Sequence, residues 1–311
     1  LEQGSGPLNE PIETRIDAGA LTLGALLYGS ASAPPVLMLH GQSDSAWSMD
    51  SVARALADRY RVISLDLRGH GNSDWGSYTL LHMIGDLVGV VETLDLVAPI
   101  IIGHSLGGQV AAQFCGVYPE IPRAAVLIES LGPPPHRLAR TDPEAHERHY
   151  SRTRVERVRQ RARSRPLANL AEAVERIRTL HPGLDAERAA LLADKGTSER
   201  PDGSREWRFD PASRDWVAGH DHDRAEQRWR GVTCPVHVVL GRDAWDRFWK
   251  LSLPFSEELE GPFTDEEVAR RLSNFADVSC AQVADAGHMV HYDQPLELNA
   301  SIARFLSERV E

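Results

Sequence analysis

Apolar residues recur along the chain with two different periods. Short unbroken apolar runs at Pro35–Leu39 and Ala124–Ile128 have the length and continuity of strands buried on both faces, and Arg61–Leu65, Ile100–Ile102, Val236–Leu240 and Val278–Val283 read as further strands. Between them lie stretches spaced for one face of a helix: Trp47–Asp58 on Trp47, Met49, Val52 and Leu56, and Tyr78–Leu94 on Leu80, Ile84, Leu87, Val91 and Leu94. A third, rich in alanine, follows Ser105, and Thr264–Phe275 and Leu296–Val310 read as two more. Strand, helix and strand joined by short connections predict a parallel sheet with crossover helices, an α/β fold. Pro11–Tyr28 alternates only weakly in two short runs, which predicts an antiparallel edge hairpin around Gly19.

This regularity stops at Pro133, Pro134 and Pro135, where three prolines in a row end any regular element. From Pro133 to Arg230 there are 20 Arg and one Lys against 17 acids, which leaves 13 basic and 28 acidic residues elsewhere. The chain therefore divides into residues 1–132 and 231–311, which carry the sheet, and a slightly positive insert, 133–230. In the insert Tyr150–Arg163, Leu167–Leu180 and Leu184–Asp194 read as helices, and Lys195–Asp215, with Pro201, Gly203 and Pro211, reads as loop. Its arginines fit solvated helix faces with acidic neighbours, and a mild attraction for anionic substrates is the sharper reading.

Composition narrows the partners. At 311 residues, with 42% hydrophobic and 25% charged side chains, the chain has the makeup of a soluble globular protein with a substantial core. A net charge of -11 argues against nucleic acid, whose binding needs a concentrated basic surface. No apolar run is long enough to span a membrane, and the N-terminus lacks a signal-peptide core. Cys115, Cys234 and Cys280 are odd in number, widely spaced and set in apolar stretches, so all three read as buried free thiols in a reducing cytoplasm. A monomer or homodimer acting on a small molecule is the expectation.

The chemistry gathers where predicted strands end. In PIIIGHSLGGQVAAQFC, residues 99–115, an apolar strand gives way within one turn to a helix, which displays Ser105 on the corner. Gly103, Gly107 and Gly108 supply the small neighbours that such a turn needs. The helix start behind Ser105 favours any negative charge that forms there. A serine hydroxyl needs a base, and the base needs an acid to fix its tautomer. His288, beside Gly287 after the last predicted strand, is the best base; His291 competes, whereas His104, His40 and His70 read as structural. An oxyanion on a carbonyl attacked by Ser105 would need two donors, and the amides of Leu106 and Gln42 are placed to supply them. Trp207, Trp216 and Trp229, with Trp245 and Trp249, are candidates for an apolar substrate pocket.

The ordered segments LHGQ, DLRGHGNSD, GHSLGG, IESLGPPP, VVLGRDAWD and AGHMVHYDQP together resemble the α/β-hydrolase fold superfamily, from about residue 20 nearly to the C-terminus. The resemblance implies a mostly parallel eight-stranded sheet, a helical cap inserted after the sixth strand, here 133–230, and a catalytic triad in the order Ser, acid, His. In most relatives the acid follows the seventh strand, but the matching position is Ala244, with Asp243 and Asp246 out of step. In haloalkane dehalogenases and certain lactone hydrolases it follows the sixth strand, and Glu129 stands 24 residues after Ser105. Glu129 is therefore the favoured acid and Asp243 the alternative. A serine nucleophile sets the chain apart from the dehalogenases and epoxide hydrolases, which use aspartate.

The expected reaction is hydrolysis of a carboxylic ester or lactone of medium size and largely hydrophobic body through an acyl-enzyme on Ser105, with no metal and no organic cofactor. Carbon–carbon bond hydrolysis and thioester cleavage use much the same groups. A ligand-binding receptor or inactive scaffold on this fold is the alternative of another class.

Overall fold

The computed structural model describes residues 10–137, 141–159, 165–219, 221–252 and 259–310. Its strands are β1 (Ile12–Asp17), β2 (Thr22–Tyr28), β3 (Pro35–Leu39), β4 (Arg61–Leu65), β5 (Ile100–His104), β6 (Ala124–Ile128), β7 (Thr197–Glu199), β8 (Arg205–Trp207), β9 (Val236–Gly241) and β10 (Val278–Val283). Eight of them form one sheet in the order β1-β2-β4-β3-β5-β6-β9-β10, and β7 and β8 form a separate hairpin. From β4 to β10 every neighbouring pair is parallel, while β1–β2 and β2–β4 are antiparallel. The predicted edge hairpin forms, with Gly19 at φ 87° in its turn.

Side chains alternate across each strand, so the unbroken apolar runs serve both faces. Leu37, Leu39, Ile63, Leu65 and Ile101 point into one core with α2 (Leu80–Thr93) and α3 (Leu106–Val117). Val36, Met38, Val62, Ile100 and Ile102 point into the other with α1 (Asp50–Leu56) and the C-terminal helix Pro295–Arg309.

Between β6 and β9 the chain builds α4 (Pro143–Arg159), α5 (Leu170–Leu180), α6 (Ala186–Lys195) and α7 (His222–Trp229). Asn169, Asp185 and Asp221 cap α5, α6 and α7 by accepting from backbone N–H groups at 2.7–3.1 Å, each cap contributing about 1 kcal/mol. Leu167, Ile177 and Leu192 extend one core and Ala225 and Trp229 the other, so the segment spans both sides of the sheet. Several of its arginines are engaged in ion pairs, including Arg176 with Glu172 at 2.6 Å and Arg188 with Asp50 of α1 at 3.1 Å.

Three readings of the sequence need correction. Residues 195–215 are not simply loop: β7 and β8 pair across a turn with Gly203 at φ 80°, and a 3-10 turn runs over Pro211–Gly219. Strands of three residues are too short to show a period. Helix α4 starts at Pro143 rather than Tyr150, in a stretch whose charges surround the helix and leave no apolar stripe; the expected continuation over 160–163 lies outside the described residues. Helix α7 adds to the helices that the sequence predicts for the insert. Cys280 is exposed, because β10 is the edge strand, whereas Cys115 and Cys234 are buried free thiols. Asp265–Leu272, here α8, and Pro295–Arg309, α9, fall where helices were expected. Among the described residues no helix is long and apolar enough to cross a membrane.

Candidate active site

The corner between β5 and α3 is strained at one residue. Ser105 has φ 50° and ψ −114°, a region that L residues rarely occupy. The surroundings enforce it: a Cβ on Gly103 would lie 2.4 Å from the Gly107 carbonyl oxygen, and one on Gly107 would lie 2.3 Å from that of Leu39. Ser105 N–H donates to Ile128 O at 2.9 Å, and Gly107 N–H to His40 O at 3.1 Å. The corner is thus tied to β6 on one side and to the end of β3 on the other.

His288 follows β10, and its Nε2 lies 2.9 Å from Ser105 Oγ. Its Nδ1 lies 3.1 Å from Glu129 Oε2. Glu129 is the first residue past β6; its N–H donates to Val239 O at 2.9 Å, and its Oε1 accepts the Gly241 N–H at 2.7 Å. Like Ser105, it has φ 50°. Asp243 does not meet the histidine: its carboxylate pairs with Arg247 at 3.2 Å, and its N–H donates to Ala286 O.

Burial sets the electrostatics. Desolvation pushes the Glu129 carboxyl up to about 8, opposed by the Gly241 N–H, and pushes the His288 imidazole down to about 3. Each group is driven toward its neutral form. With Glu129 ionised, the Nδ1–H of His288 donates to the carboxylate, and Nε2 is left to accept the Ser105 proton. Such a chain can generate a serine alkoxide and hold the resulting imidazolium.

Three of the histidines singled out in the sequence, His104, His291 and His40, hold other places. His104 Nε2–H donates to His288 O at 2.9 Å and so anchors the loop that carries His288. The His291 ring lies 4.5 Å from that of His104, and no hydrogen bond joins it to Ser105 among the described residues. His40 Nδ1–H donates to Gly41 O at 2.7 Å and its Nε2 accepts Leu67 N–H at 3.0 Å. The segment after β3 runs against the nucleophile, since a Cβ on Gly41 would lie 3.4 Å from Ser105 Cβ. Among the described residues the backbone N–H groups of Gln42 and Leu106 donate to no other protein group.

The tryptophans separate. Trp229 is fully buried and stacks on Phe275 at 5.3 Å, a core role rather than a pocket one. Trp216 donates its indole N–H to Gln42 Oε1 at 2.9 Å. Trp207 stacks on Phe209 at 6.2 Å, and Phe209 lies 6.4 Å from the His70 ring. Trp245 opens a π-helical turn, Trp245–Trp249, which the sequence did not reveal. That turn brings Phe248 over the His288 imidazole at 4.1 Å and Trp249 within 5.4 Å. Phe248 sits in the charged stretch WDRFWK, where no period marks it. Among the described residues no cluster of three His, Cys, Asp or Glu could hold a metal ion.

The comparisons with known proteins agree with this architecture. The serine hydrolase-like protein of Danio rerio is 24% identical over 287 residues, 90% of this chain and 83% of that protein. The crystal structure of E-2-(acetamidomethylene)succinate hydrolase shares the fold with a TM-score of 0.75 at 23% identity, over 96% of this chain and 100% of that one. A thioesterase domain from the curacin biosynthetic pathway does so with a TM-score of 0.76 at 22% identity, over 95% and 100%. The description of the alpha/beta hydrolase family matches residues 36–301. With that match spanning most of its length, the chain is a hydrolase that belongs to the alpha/beta hydrolase family.

Proposed function

We propose that this hydrolase cleaves a carboxylic ester or lactone of a medium-sized, largely hydrophobic small molecule through an acyl-enzyme on Ser105. The observation that carries the reading is the unbroken relay from Ser105 Oγ through the His288 ring to Glu129, at 2.9 and 3.1 Å. Ser105 Oγ attacks the carbonyl carbon while its proton passes to His288 Nε2. The oxyanion rests on the N–H groups of Gln42 and Leu106, and Glu129 balances the imidazolium. As the tetrahedral adduct collapses, His288 returns the proton to the leaving alkoxide. A water then attacks the acyl-enzyme by the same route, which releases the acid and restores Ser105. Loss of one oxyanion donor from such a site costs about 3 to 4 kcal/mol of barrier.

The segment 133–230 is assigned as the cap, and the apolar body of the substrate as the partner of the aromatic side chains Trp207, Trp216 and Trp245. Phe248, stacked on His288, and Trp249, edge-on to it, join them. Aromatic walls supply large apolar contact at little entropic cost. The test is a panel of 4-nitrophenyl acyl esters and medium-ring lactones with wild type and Ser105→Ala. Turnover that vanishes in Ser105→Ala supports the reading; turnover that survives it refutes it.

A further inference from the structure

Gln42 does more than carry a backbone N–H. Its carboxamide Nε2 donates to Ser213 Oγ at 2.9 Å and to His70 Nε2 at 3.2 Å, while its Oε1 accepts the Trp216 indole N–H at 2.9 Å. These orientations are fixed by chemistry, because an indole N–H can only donate and so must face the carboxamide oxygen. The His70 tautomer is fixed as well. Its Nδ1–H donates to Arg68 O at 3.0 Å, so Nε2 is a bare acceptor, and it also takes the Ser43 backbone N–H at 3.1 Å. Burial keeps this imidazole neutral by pushing it down to about 3.

Ser213 and Trp216 come from the 3-10 turn Pro211–Gly219, far along the chain in the segment inserted after β6. The segment leading into that turn is seated on the loop after β4. Gly71 N–H donates to Arg208 O at 2.6 Å, Asp210 N–H to Gly69 O at 2.8 Å, and Tyr78 OH to Asp210 Oδ2 at 2.7 Å. The peptide on which the oxyanion would rest is therefore clamped from both sides: His70 holds Ser43, and the inserted turn holds the Gln42 side chain.

We propose that Ser213 and Trp216 are positioning residues for the oxyanion site: by fixing the Gln42 carboxamide they fix the direction of its backbone N–H, so the seating of the inserted turn sets the rate of acyl transfer. The inference rests on the reading of Ser105 as nucleophile and Gln42 N–H as oxyanion donor. On this account the polar edge of Trp216 acts on the rate, separately from any apolar contact its ring makes with substrate.

An alkyl fluorophosphonate tests this without knowledge of the natural substrate. Ser105 Oγ bonds to phosphorus, fluoride leaves, the serine proton passes to His288, and the phosphoryl oxygen takes the oxyanion position. Inactivation kinetics are measured for wild type, Trp216→Phe and Ser213→Ala with a methyl and an octyl probe, and split into a binding constant and a maximal rate. The expected result is a maximal rate lowered about tenfold by each variant, by the same factor for both probes, with the binding constant unchanged; this is part of the 10²–10³ loss when a donor is removed outright. Loss confined to the octyl probe, or to the binding constant, would leave Trp216 as a pocket wall alone, with no part in positioning Gln42, and overturn the inference, as would unchanged rates in both variants. If Trp216→Phe does not fold, Ser213→Ala carries the same comparison, because it deletes a single hydroxyl. Wild type that is not labelled on Ser105 would instead overturn the acyl-transfer reading, and this inference with it. Labelled wild type with unaffected variants overturns the inference alone.

Discussion

Replacing Glu129 by glutamine removes the charge opposite His288 while keeping the side-chain shape and an oxygen able to accept from Gly241 N–H. The separation of 3.1 Å sets the size of the effect. Unit charges at that distance attract by about 5 kcal/mol at an effective dielectric of about 20, and this is what the imidazolium formed during attack would lose. The rate constant should fall by about 10³ to 10⁴. The pH profile should change in form as well. With Glu129 pushed up to about 8 and His288 down to about 3, the productive state of the wild type needs the carboxyl ionised, so its rate should climb as pH rises through the region of 8. In Glu129→Gln no carboxyl titrates, His288 is already neutral, and the residual rate should be flat from about pH 5 to 9. Stability should move the other way. A carboxyl whose folded pKa is raised stabilises the fold fully only below its unfolded value, and that contribution is lost as pH rises through about 8. Glu129→Gln should therefore melt at a higher temperature than wild type at pH 9, with the gain shrinking toward pH 4.5. Ester hydrolysis from pH 5 to 9, paired with thermal melts, measures both. A glutamine variant within tenfold of wild type, or one that keeps the rise near pH 8, would refute the reasoning.

Three further outcomes follow from single contacts. Asp243→Asn should leave ester turnover within about twofold, since Asp243 faces Arg247 and a partly exposed ion pair contributes little; a steady-state rate lowered a hundredfold would reinstate it as the acid. Gly107→Ala should cost about 3 kcal/mol in urea unfolding, because its Cβ would stand 2.3 Å from a backbone carbonyl that cannot yield. Asp86→Ala should destabilise by about 3 to 5 kcal/mol in the same measurement: it strands the buried Arg68 guanidinium, now held at 2.6 and 2.7 Å.

What could be read in the sequence depended on how far apart the determining residues lie. Pro35–Leu39 and Ala124–Ile128 are visible as strands because both faces are buried, so their apolar runs are unbroken. The carboxyl ends of β5 and β6, which carry Ser105 and Glu129, are legible with them, and His288 follows the partly exposed edge strand β10. The choice between Glu129 and Asp243 was less accessible, because it turns on the direction of the loop after β9, where Asp243 N–H is tied to Ala286 O. Three-residue strands such as β7 carry too few positions for a period. Phe248 reaches His288 only because a π-helical turn rotates it there. The clamp on Gln42 joins residues 171 and 174 positions apart, and only the folded chain brings them together.

The central claim is a covalent intermediate on Ser105, and mass spectrometry of enzyme quenched during turnover of 4-nitrophenyl butyrate tests it most directly. One butyryl group should appear on the peptide that contains Ser105, should build up in water-limited quenches, and should be missing from Ser105→Ala. Turnover with no adduct under any quench, or a butyryl group on another side chain that persists in Ser105→Ala, would contradict the account.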